Sequence, residues 1–171
     1  DFISTTEKRH HESVLEIWSK LVKSGDIYLD KYSGWYSIRD EAFYSNDEIV
    51  ENSNGNKVAS NGSEVEWVEE PSYFFKLSAW QDKLLEFYKN NPDFVSPKSR
   101  YNEVLSFVNK GLEDLSISRT TFKWGIPVPS NDKHIIYVWL DALTNYLSGA
   151  DYPNTDSKNW NKYWPADIHV V

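Results

Sequence analysis

The feature that most constrains the fold is an apolar run, HIIYVWLDALTNYL, at residues 134–147. From His134 to Leu140 it supplies apolar residues on both faces of an extended chain, a pattern typical of a strand buried inside a sheet. Asp141 then precedes Ala, Leu and Asn, as an N-cap residue does at the start of a helix. The run therefore predicts a buried strand that ends near Trp139, followed by a helix.

Trp139 has two possible roles at this place. In open α/β sheets, ligands bind in the crevice beyond the carboxyl ends of the strands. A large aromatic residue there is either part of the core or a wall of a pocket, and strand burial by itself favours the core.

An amphipathic helix is predicted between Ser4, which has Glu7 at capping-box spacing, and Gly25. Its apolar face comprises Val14, Leu15, Trp18, Leu21 and Val22. Residues 26–70 then consist of short aromatic, β-prone pieces, which predict a small antiparallel β unit with a flexible tip at Asn52–Gly62.

Two more helices are predicted, one from Ser78 to Asn91-Pro92 and one from Ser96-Pro97 to Gly111. The segment GIPVP follows, and its prolines restrict it to an edge strand. The order of helix, β unit, two helices, strand and helix indicates an α/β scaffold interrupted by an insertion.

Composition excludes several classes of protein. Eight Trp, eleven Tyr and eight Phe in 171 residues favour a globular domain, and no stretch has the length of a membrane span. A net charge of −8 predicts a poor nucleic-acid binder. The absence of cysteine rules out disulfides and thiolate metal sites. The terminal sequences, DFISTTEK and WPADIHVV, suggest a fragment of a longer protein.

No catalytic cluster is evident. His10 and His11 are neighbours on a helix and point in different directions, so we expect exposed histidines and not a chelating pair. The carboxylates of EVEWVEE are expected on the solvent side of a strand. The sequence contains no dinucleotide-binding, P-loop or nucleophile-elbow motif.

Ser37 and Asp40 have the spacing of two metal ligands in a knuckle. Serine is a poor zinc ligand and no second pair follows, so we predict no metal site here. We expect instead a hairpin turn, held by backbone hydrogen bonds and by contacts of Trp35, Tyr36, Arg39 and Phe43.

Read together, five segments resemble consecutive stretches of the bacterial and organellar methionyl-tRNA synthetases. They are GDIYLDKYSGWYSIRDEAFY, EWVEEPSYFFKLSAWQDKLLEFY, NEVLSFVNKGLEDLSISRTTFKWGIPVP, YVWLDALTNYL and WPADIHVV. The most specific are DLSISR, WGIPVP and YVWLDAL in that order. The resemblance covers essentially the whole chain.

This resemblance implies part of a Rossmann-like class I synthetase catalytic domain, interrupted by a small α+β connective insertion. Residues 1–29 would close the first half of the catalytic domain, and 119–171 would begin the second half. The insertion would occupy 30–118, with a β unit at 30–77 and a helical part at 78–118.

The resemblance also implies an activity and a site. The parent enzyme would activate methionine with ATP and Mg²⁺ and transfer it to tRNA(Met) in protein biosynthesis, in the cytoplasm or an organellar matrix. Trp139, Ala142 and Tyr146 match the family's methionine pocket, where the Trp ring would contact the thioether. Arg119 matches an arginine at the mouth of the active site, and a surface salt bridge is its simpler explanation.

The sequence departs from the family in three ways. Many relatives have Cys-x-x-Cys pairs where this chain has Ser37 and Asp40, so no zinc is predicted in the insertion. Leu143 stands where some relatives have Pro. The two ATP-handling signatures, of the His-Ile-Gly-His and Lys-Met-Ser-Lys-Ser kind, are absent, so the fragment alone is predicted to be inactive.

Two other interpretations are open. A leucyl, isoleucyl or valyl synthetase would carry a much longer insertion than the span between Leu29 and Arg119. A non-enzymatic binding module, for instance for carbohydrate, would expose Trp35, Tyr36, Trp67 and Trp80 as a stacking surface.

Overall fold

The computed structural model describes residues 2–40, 42–121 and 123–170. The chain divides into two compact units. The smaller comprises Leu29–Ser72, and the larger comprises the residues up to Tyr28 together with those from Tyr73 onward.

Helices and strands alternate along the chain. The helices are α1 (Lys8–Ser24), α2 (Gln81–Asn90), α3 (Lys98–Asn109), α4 (Val138–Asp141), α5 (Asn145–Ser148) and α6 (Lys158–Tyr163). The strands are β1 (Ile27–Ser37), β2 (Ala42–Tyr44), β3 (Ile49–Glu51), β4 (Lys57–Ala59), β5 (Glu66–Phe75), β6 (Leu115–Ser116), β7 (Ser118–Arg119), β8 (Pro127–Val128) and β9 (Asn131–Ile136). They form sheets in the orders β2-β1-β5-β6, β3-β4 and β7-β9-β8. None of the helices in the described part of the chain is both long and apolar enough to span a membrane.

Helix α1 confirms the predicted amphipathic helix. Its N-cap is Glu7, whose carboxylate accepts a hydrogen bond from the Ser4 N–H at 2.8 Å. The Ser4 hydroxyl pairs with Thr6 at 2.8 Å, so only half of the predicted capping box forms. Gly25 ends the helix in a left-handed conformation, with φ of 78°.

The core of the larger unit is formed by one face of α1 and by residues in or next to strands β1, β7, β8 and β9. Its buried members are Val14, Trp18, Ile27, Ile117, Ile126, Val128 and Ile136. The ring of Trp18 meets the ring of Tyr73 edge to face, with 5.3 Å between centroids. Burying a side chain of this size contributes about 1.5–3 kcal/mol, so α1 is firmly held against the sheet.

The β7-β9-β8 sheet contains the first part of the apolar run. Strand β9 lies in the middle of the sheet and is antiparallel to both neighbours. Its three buried residues, His134, Ile135 and Ile136, account for the apolar pattern. The prediction that GIPVP is an edge strand is confirmed, since β8 lies at the sheet's edge.

The helical segment between β5 and β6 follows the predicted pattern. A 3₁₀ turn at Leu77–Trp80 precedes α2, and α3 buries Tyr101 and Val108. Asp114 accepts hydrogen bonds from the Ser78 hydroxyl at 2.6 Å and from the Tyr28 hydroxyl at 2.7 Å. These bonds hold the segment at both of its ends.

The smaller unit is built on hairpins. Strands β1 and β2 pair antiparallel, with Ser37 opposite Ala42, and β3 pairs antiparallel with β4. The stretch predicted as a flexible tip contains β4 and the turn that joins it to β3. The Asn52 side chain closes this turn by accepting the N–H groups of Asn54 and Asn56. Glu70 corrects the expectation for EVEWVEE, because it is buried while Glu66 and Glu69 are exposed.

Candidate functional site

The chain leaves the sheet earlier than the sequence predicts. Pairing of β9 with β7 ends at Ile136 opposite Ser118, and the next N–H, of Tyr137, bonds to the Ile117 carbonyl at 2.9 Å. The Tyr137 carbonyl then accepts the N–H groups of Leu140 and Asp141, each at 3.1 Å, which starts α4. The predicted strand to Leu140 and the predicted N-cap at Asp141 are therefore wrong, because no strand is available to pair beyond Ile136.

Residues 138–148 form one interrupted helical segment with two opposite faces. It runs through α4, a 3₁₀ turn at Ala142–Thr144 and α5. The side chains with the greatest exposure are apolar: Val138 at 51%, Trp139 at 57% and Leu143 at 52%. The inner side carries the buried Thr144 and Ser148, and the partly buried Leu140 packs against the core. An exposed apolar face backed by buried polar groups is the informative deviation.

The three residues matched to the methionine pocket share the outer side of this segment. Trp139, Ala142 and Tyr146 are spaced i, i+3 and i+7, which places them along one helical face. Ala142 and Tyr146 are partly exposed, and Trp139 is mostly exposed. Trp139 is therefore not buried within the described part of the chain.

Tyr146 is held by the last described residues. The His169 ring meets the Tyr146 ring edge to face, with 4.1 Å between centroids. The Tyr146 hydroxyl donates to the Val170 carbonyl at 3.2 Å. These two contacts fix the ring orientation on the exposed side of the segment.

His10 contacts the buried side of the segment. Its Nε2 lies 2.7 Å from a carboxylate oxygen of Asp141, and its Nδ1 lies 3.0 Å from the Ser148 hydroxyl. The side chain is completely buried, so the expectation that His10 is exposed is wrong. His11 points elsewhere and is partly exposed. The sequence alone could not reveal this, since both partners lie more than a hundred residues away along the chain.

Arg119 lies next to the start of the segment. Its guanidinium carbon is 4.0 Å from the centre of the Tyr137 ring, a cation–π contact. It donates to the Ser116 hydroxyl at 2.6 Å and to the Ser118 carbonyl at 2.7 Å. These bonds fix the guanidinium against the residue that caps α4.

Sequence reasoning missed His10, Ser148, Tyr137 and His169 as parts of this site. One signal was present: Asp141, Thr144 and Ser148 recur at i, i+3 and i+7 within an otherwise apolar run. Such spacing indicates a second, polar face, and that face requires a polar partner when it is buried.

Comparison with known proteins identifies the family. A family model described as "tRNA synthetases class I (M)" matches residues 1–171. The chain belongs to the class I tRNA synthetases.

Curated relatives of this class I synthetase chain are named methionine–tRNA ligase. The protein of Rickettsia typhi is 62% identical and that of Brucella suis is 54% identical, each over 171 residues. Each alignment covers 100% of this chain and 33% of the relative. The chain thus spans about a third of the length of these relatives.

Solved structures confirm the predicted fold class of this synthetase chain. A crystal structure of Mycobacterium tuberculosis methionyl-tRNA synthetase bound by methionyl-adenylate has a TM-score of 0.85 and 54% identity, covering 98% of this chain and 33% of that chain. The free state of the same enzyme has a TM-score of 0.81 at 54% identity, with 98% and 34% covered. The chain is therefore part of a class I synthetase fold.

In the smaller unit of this synthetase chain, the candidate metal-ligand spacing forms a hydrogen-bonded cluster. Asp40 accepts from the Tyr44 hydroxyl at 2.7 Å and from the Asn61 amide at 3.1 Å, and its N–H bonds to the Ser37 hydroxyl at 3.3 Å. The neighbouring Ser63 hydroxyl, with Tyr44 and Asn61, lowers the pKa of Asp40 from 3.8 to about 2. Serine, asparagine and one carboxylate do not fit a zinc ion, which prefers sulfur and imidazole ligands.

The described residues also contain no other donor set for a metal. Across residues 2–40, 42–121 and 123–170, no three His, Cys, Asp or Glu side chains are grouped so that they could hold an ion.

Within the smaller unit, the aromatic residues of the alternative binding module do not all share one surface. Trp35 and Tyr36 are consecutive in β1 and point to opposite faces of the strand. Trp35 meets Trp67 edge to face at 5.2 Å, whereas Tyr36 packs on Phe43 at 4.8 Å. Trp80 belongs to the other compact unit and donates to Asp26 at 3.2 Å.

Proposed function

We propose that the parent of this chain is a methionine–tRNA ligase, which joins methionine to ATP as an adenylate and transfers the amino acid to tRNA(Met). The family and the names of relatives at 54–62% identity support this reaction. The structural neighbour with methionyl-adenylate supports the same substrate. The observation that carries the proposal is the exposed aromatic face of residues 138–148, on a segment whose other side is buried and polar.

Trp139, Ala142 and Tyr146 form one wall of the methionine site. The exposed Trp139 ring receives the thioether, and a sulfur–aromatic contact is worth about 0.3–1.5 kcal/mol. Ala142 leaves space between the two rings because its side chain is a single methyl group. Tyr146 closes the wall with a ring held in place by His169 and Val170.

Arg119 contributes at the mouth of this site. Stacking on Tyr137 and two hydrogen bonds restrict its side chain. A guanidinium carries a permanent positive charge, which suits an anionic group of a substrate at the mouth of the site.

The domain roles follow the resemblance. Residues 1–29 close the first half of the catalytic domain, 30–118 form the connective insertion and 119–171 begin the second half. The compact unit Leu29–Ser72 supports the β part of this insertion, whereas residues 73–118, with α2 and α3, belong to the larger unit.

The partners are methionine, ATP and tRNA(Met), and the reaction takes place in the cytoplasm or an organellar matrix. Mg²⁺ would accompany ATP and neutralise phosphate charge, and no step is assigned to residues of this chain through it. With a net charge of −8, this part of the protein contributes little to holding the tRNA backbone.

Amino-acid-dependent pyrophosphate exchange by the full-length parent tests the proposal. We expect exchange with methionine at concentrations where leucine, isoleucine and valine give none, and aminoacylation of tRNA(Met) but not of their tRNAs. Preferential exchange with any of the three branched amino acids would establish the alternative synthetase assignment instead.

A further inference from the structure

We infer that His10 is a positioning residue for the amino-acid site: it holds residues 138–148 in the one orientation that presents Trp139 and Tyr146 outward. This inference rests on the proposed methionine site. His10 does not contact the aromatic face and acts through Asp141 and Ser148, its two hydrogen-bond partners on the segment.

Both ring nitrogens of His10 have a hydrogen-bond partner on the segment. Nδ1 pairs with the Ser148 hydroxyl at 3.0 Å, and that hydroxyl also donates to the Thr144 carbonyl at 3.1 Å. On the other side, Nε2 lies 2.7 Å from the Asp141 carboxylate. One planar ring therefore makes hydrogen bonds in two directions, to two places seven residues apart on the segment.

The two contacts bracket the aromatic face. Asp141 lies between Trp139 and Ala142 in the chain, and Ser148 lies two residues after Tyr146. A rotation of the segment about its axis would break both hydrogen bonds and would also turn Trp139 and Tyr146 away. Fixing Asp141 and Ser148 therefore fixes the direction in which the aromatic rings point.

The helix that carries His10 is held firmly in place. His10 is on α1, whose next turns carry Val14 and Trp18 into the core. A second bond from the same helix, from the Ser13 hydroxyl to the Tyr152 carbonyl at 2.6 Å, holds the chain just beyond the segment.

A purely structural contact at this place would not require histidine. Apolar side chains of similar volume often replace buried polar groups at no loss of stability, whereas a fully satisfied polar network specifies one arrangement. A short helical segment interrupted by a 3₁₀ turn has little rigidity of its own, so contacts from outside the segment have to fix its orientation.

Two substitutions of His10 test its two hydrogen bonds separately. In His10→Gln the amide nitrogen reaches the position of Nε2 and retains the bond to Asp141. In His10→Asn the amide nitrogen reaches the position of Nδ1 and retains the bond to Ser148. Asp141 lies between Trp139 and Ala142 in the chain, so we expect His10→Asn to be the more harmful.

The experiment measures steady-state pyrophosphate exchange by the full-length parent and its variants. We expect His10→Asn to raise the KM for methionine about tenfold, since a small misplacement of positioning groups costs one to two orders of magnitude. For His10→Gln we expect about threefold, and for both variants a KM for ATP within about twofold of the wild-type value. The control is His11→Gln, the neighbouring histidine that points elsewhere, which should leave both constants unchanged.

A purely structural role predicts a different result. If His10→Asn and His10→Gln lower Tm but leave the KM for methionine unchanged in the folded enzyme, the inference is overturned. Equal increases in both KM values would overturn it as well. If the His10 variants do not fold, Ser148→Ala removes only one acceptor and should raise the KM for methionine about threefold; no change there would count against the inference.

Trp139→Phe in the same series distinguishes this inference from the proposed site. If Trp139→Phe raises the KM for methionine and His10→Asn does not, the site stands and the positioning role is wrong. If Trp139→Phe has no effect, the site itself is wrong and the positioning role fails with it.

Discussion

Replacing Trp139 with Phe in the full-length parent separates a binding role of this side chain from a packing role. Alanine would not separate them, because truncating a large aromatic residue is harmful under both hypotheses. Phenylalanine keeps an aromatic ring and shortens its reach. The two hypotheses then predict opposite effects on stability and on methionine binding.

The structure sets the expected loss of stability. Truncation of a fully buried Trp to Ala costs about 3–5 kcal/mol. Trp139 is 57% exposed, so less than half of that burial is at stake, and Phe retains most of the ring. We therefore expect the free energy of unfolding to fall by less than about 1 kcal/mol. For a domain of this size that is a change in Tm below about 4 °C.

Relative to this small loss of stability, the expected effect of Trp139→Phe on methionine binding is larger. A sulfur–aromatic contact is worth about 0.3–1.5 kcal/mol, which corresponds to a rise of about 2- to 12-fold in the KM for methionine. The contact exists in the ground state and in the transition state alike, so kcat should change little. The KM for ATP should stay as it is.

The assay is pyrophosphate exchange with methionine and ATP varied separately, together with thermal unfolding of the same preparations. Trp67→Phe is the matched control, because Trp67 is 50% exposed and lies in β5 of the smaller unit. It should leave the KM for methionine unchanged. A drop of many degrees in Tm for Trp139→Phe with an unaltered KM for methionine would refute the binding role.

Three further predictions concern stability and activity. In thermal unfolding, Gly125→Ala should destabilise the full-length protein by about 1–3 kcal/mol, since φ is +127° and a Cβ would lie 2.6 Å from the Ile135 side chain. The control Gly55→Ala places its Cβ in open space at φ of +78° and should cost less stability in the same measurement. The pKa of Asp40 is lowered to about 2, so its contribution to stability is complete above pH 3.8 and is lost as the pH falls toward 2. In urea unfolding, the free energy of unfolding should differ between wild type and Asp40→Asn at neutral pH, and this difference should close near pH 2. The isolated 171 residues should give no methionine-dependent pyrophosphate exchange above a heat-killed control, because the ATP-handling signatures are not among them.

Local sequence patterns predicted the elements whose ends are determined locally. Helix α1 ends at Gly25 because the left-handed conformation needed there depends on a single residue. The edge position of β8 follows from its prolines, which cannot donate hydrogen bonds to a second neighbour. In both cases the decisive chemistry lies within a few residues of the element.

The end of β9 could not be predicted in the same way. Apolar residues continue past Ile136, and nothing in that run marks where the strand stops. The strand stops where β7 ceases to be its partner, at Ser118. Pairing between segments so far apart in sequence has no local signature, so the apolar pattern was extended to Leu140 in error.

The candidate site was predictable in part for a similar reason. Resemblance to a family indicated Trp139, Ala142 and Tyr146, while strand burial alone favoured a core role for Trp139. The contacts of His10 were inaccessible to either approach, because neighbouring histidines on a helix most often face solvent and the partner carboxylate lies on a different element. The partner of a buried polar group is set by tertiary structure, and helical periodicity reports only the helix's own faces.

The contacts of His10 explain why residues 138–148 leave their apolar face exposed. Leaving Val138, Trp139 and Leu143 more than half exposed forgoes stabilisation of about 1 kcal/mol for each side chain. Turning the segment over would bury them, but it would carry Asp141 and Ser148 into water and leave the buried His10 without its acceptors, at a cost of several kcal/mol. The polar side therefore outweighs the apolar side. The hydrogen bonds on the buried polar side thus keep the aromatic surface exposed, where it is available to a ligand. An apolar ligand that covers this surface gains the free energy of apolar burial that folding of the chain leaves unused.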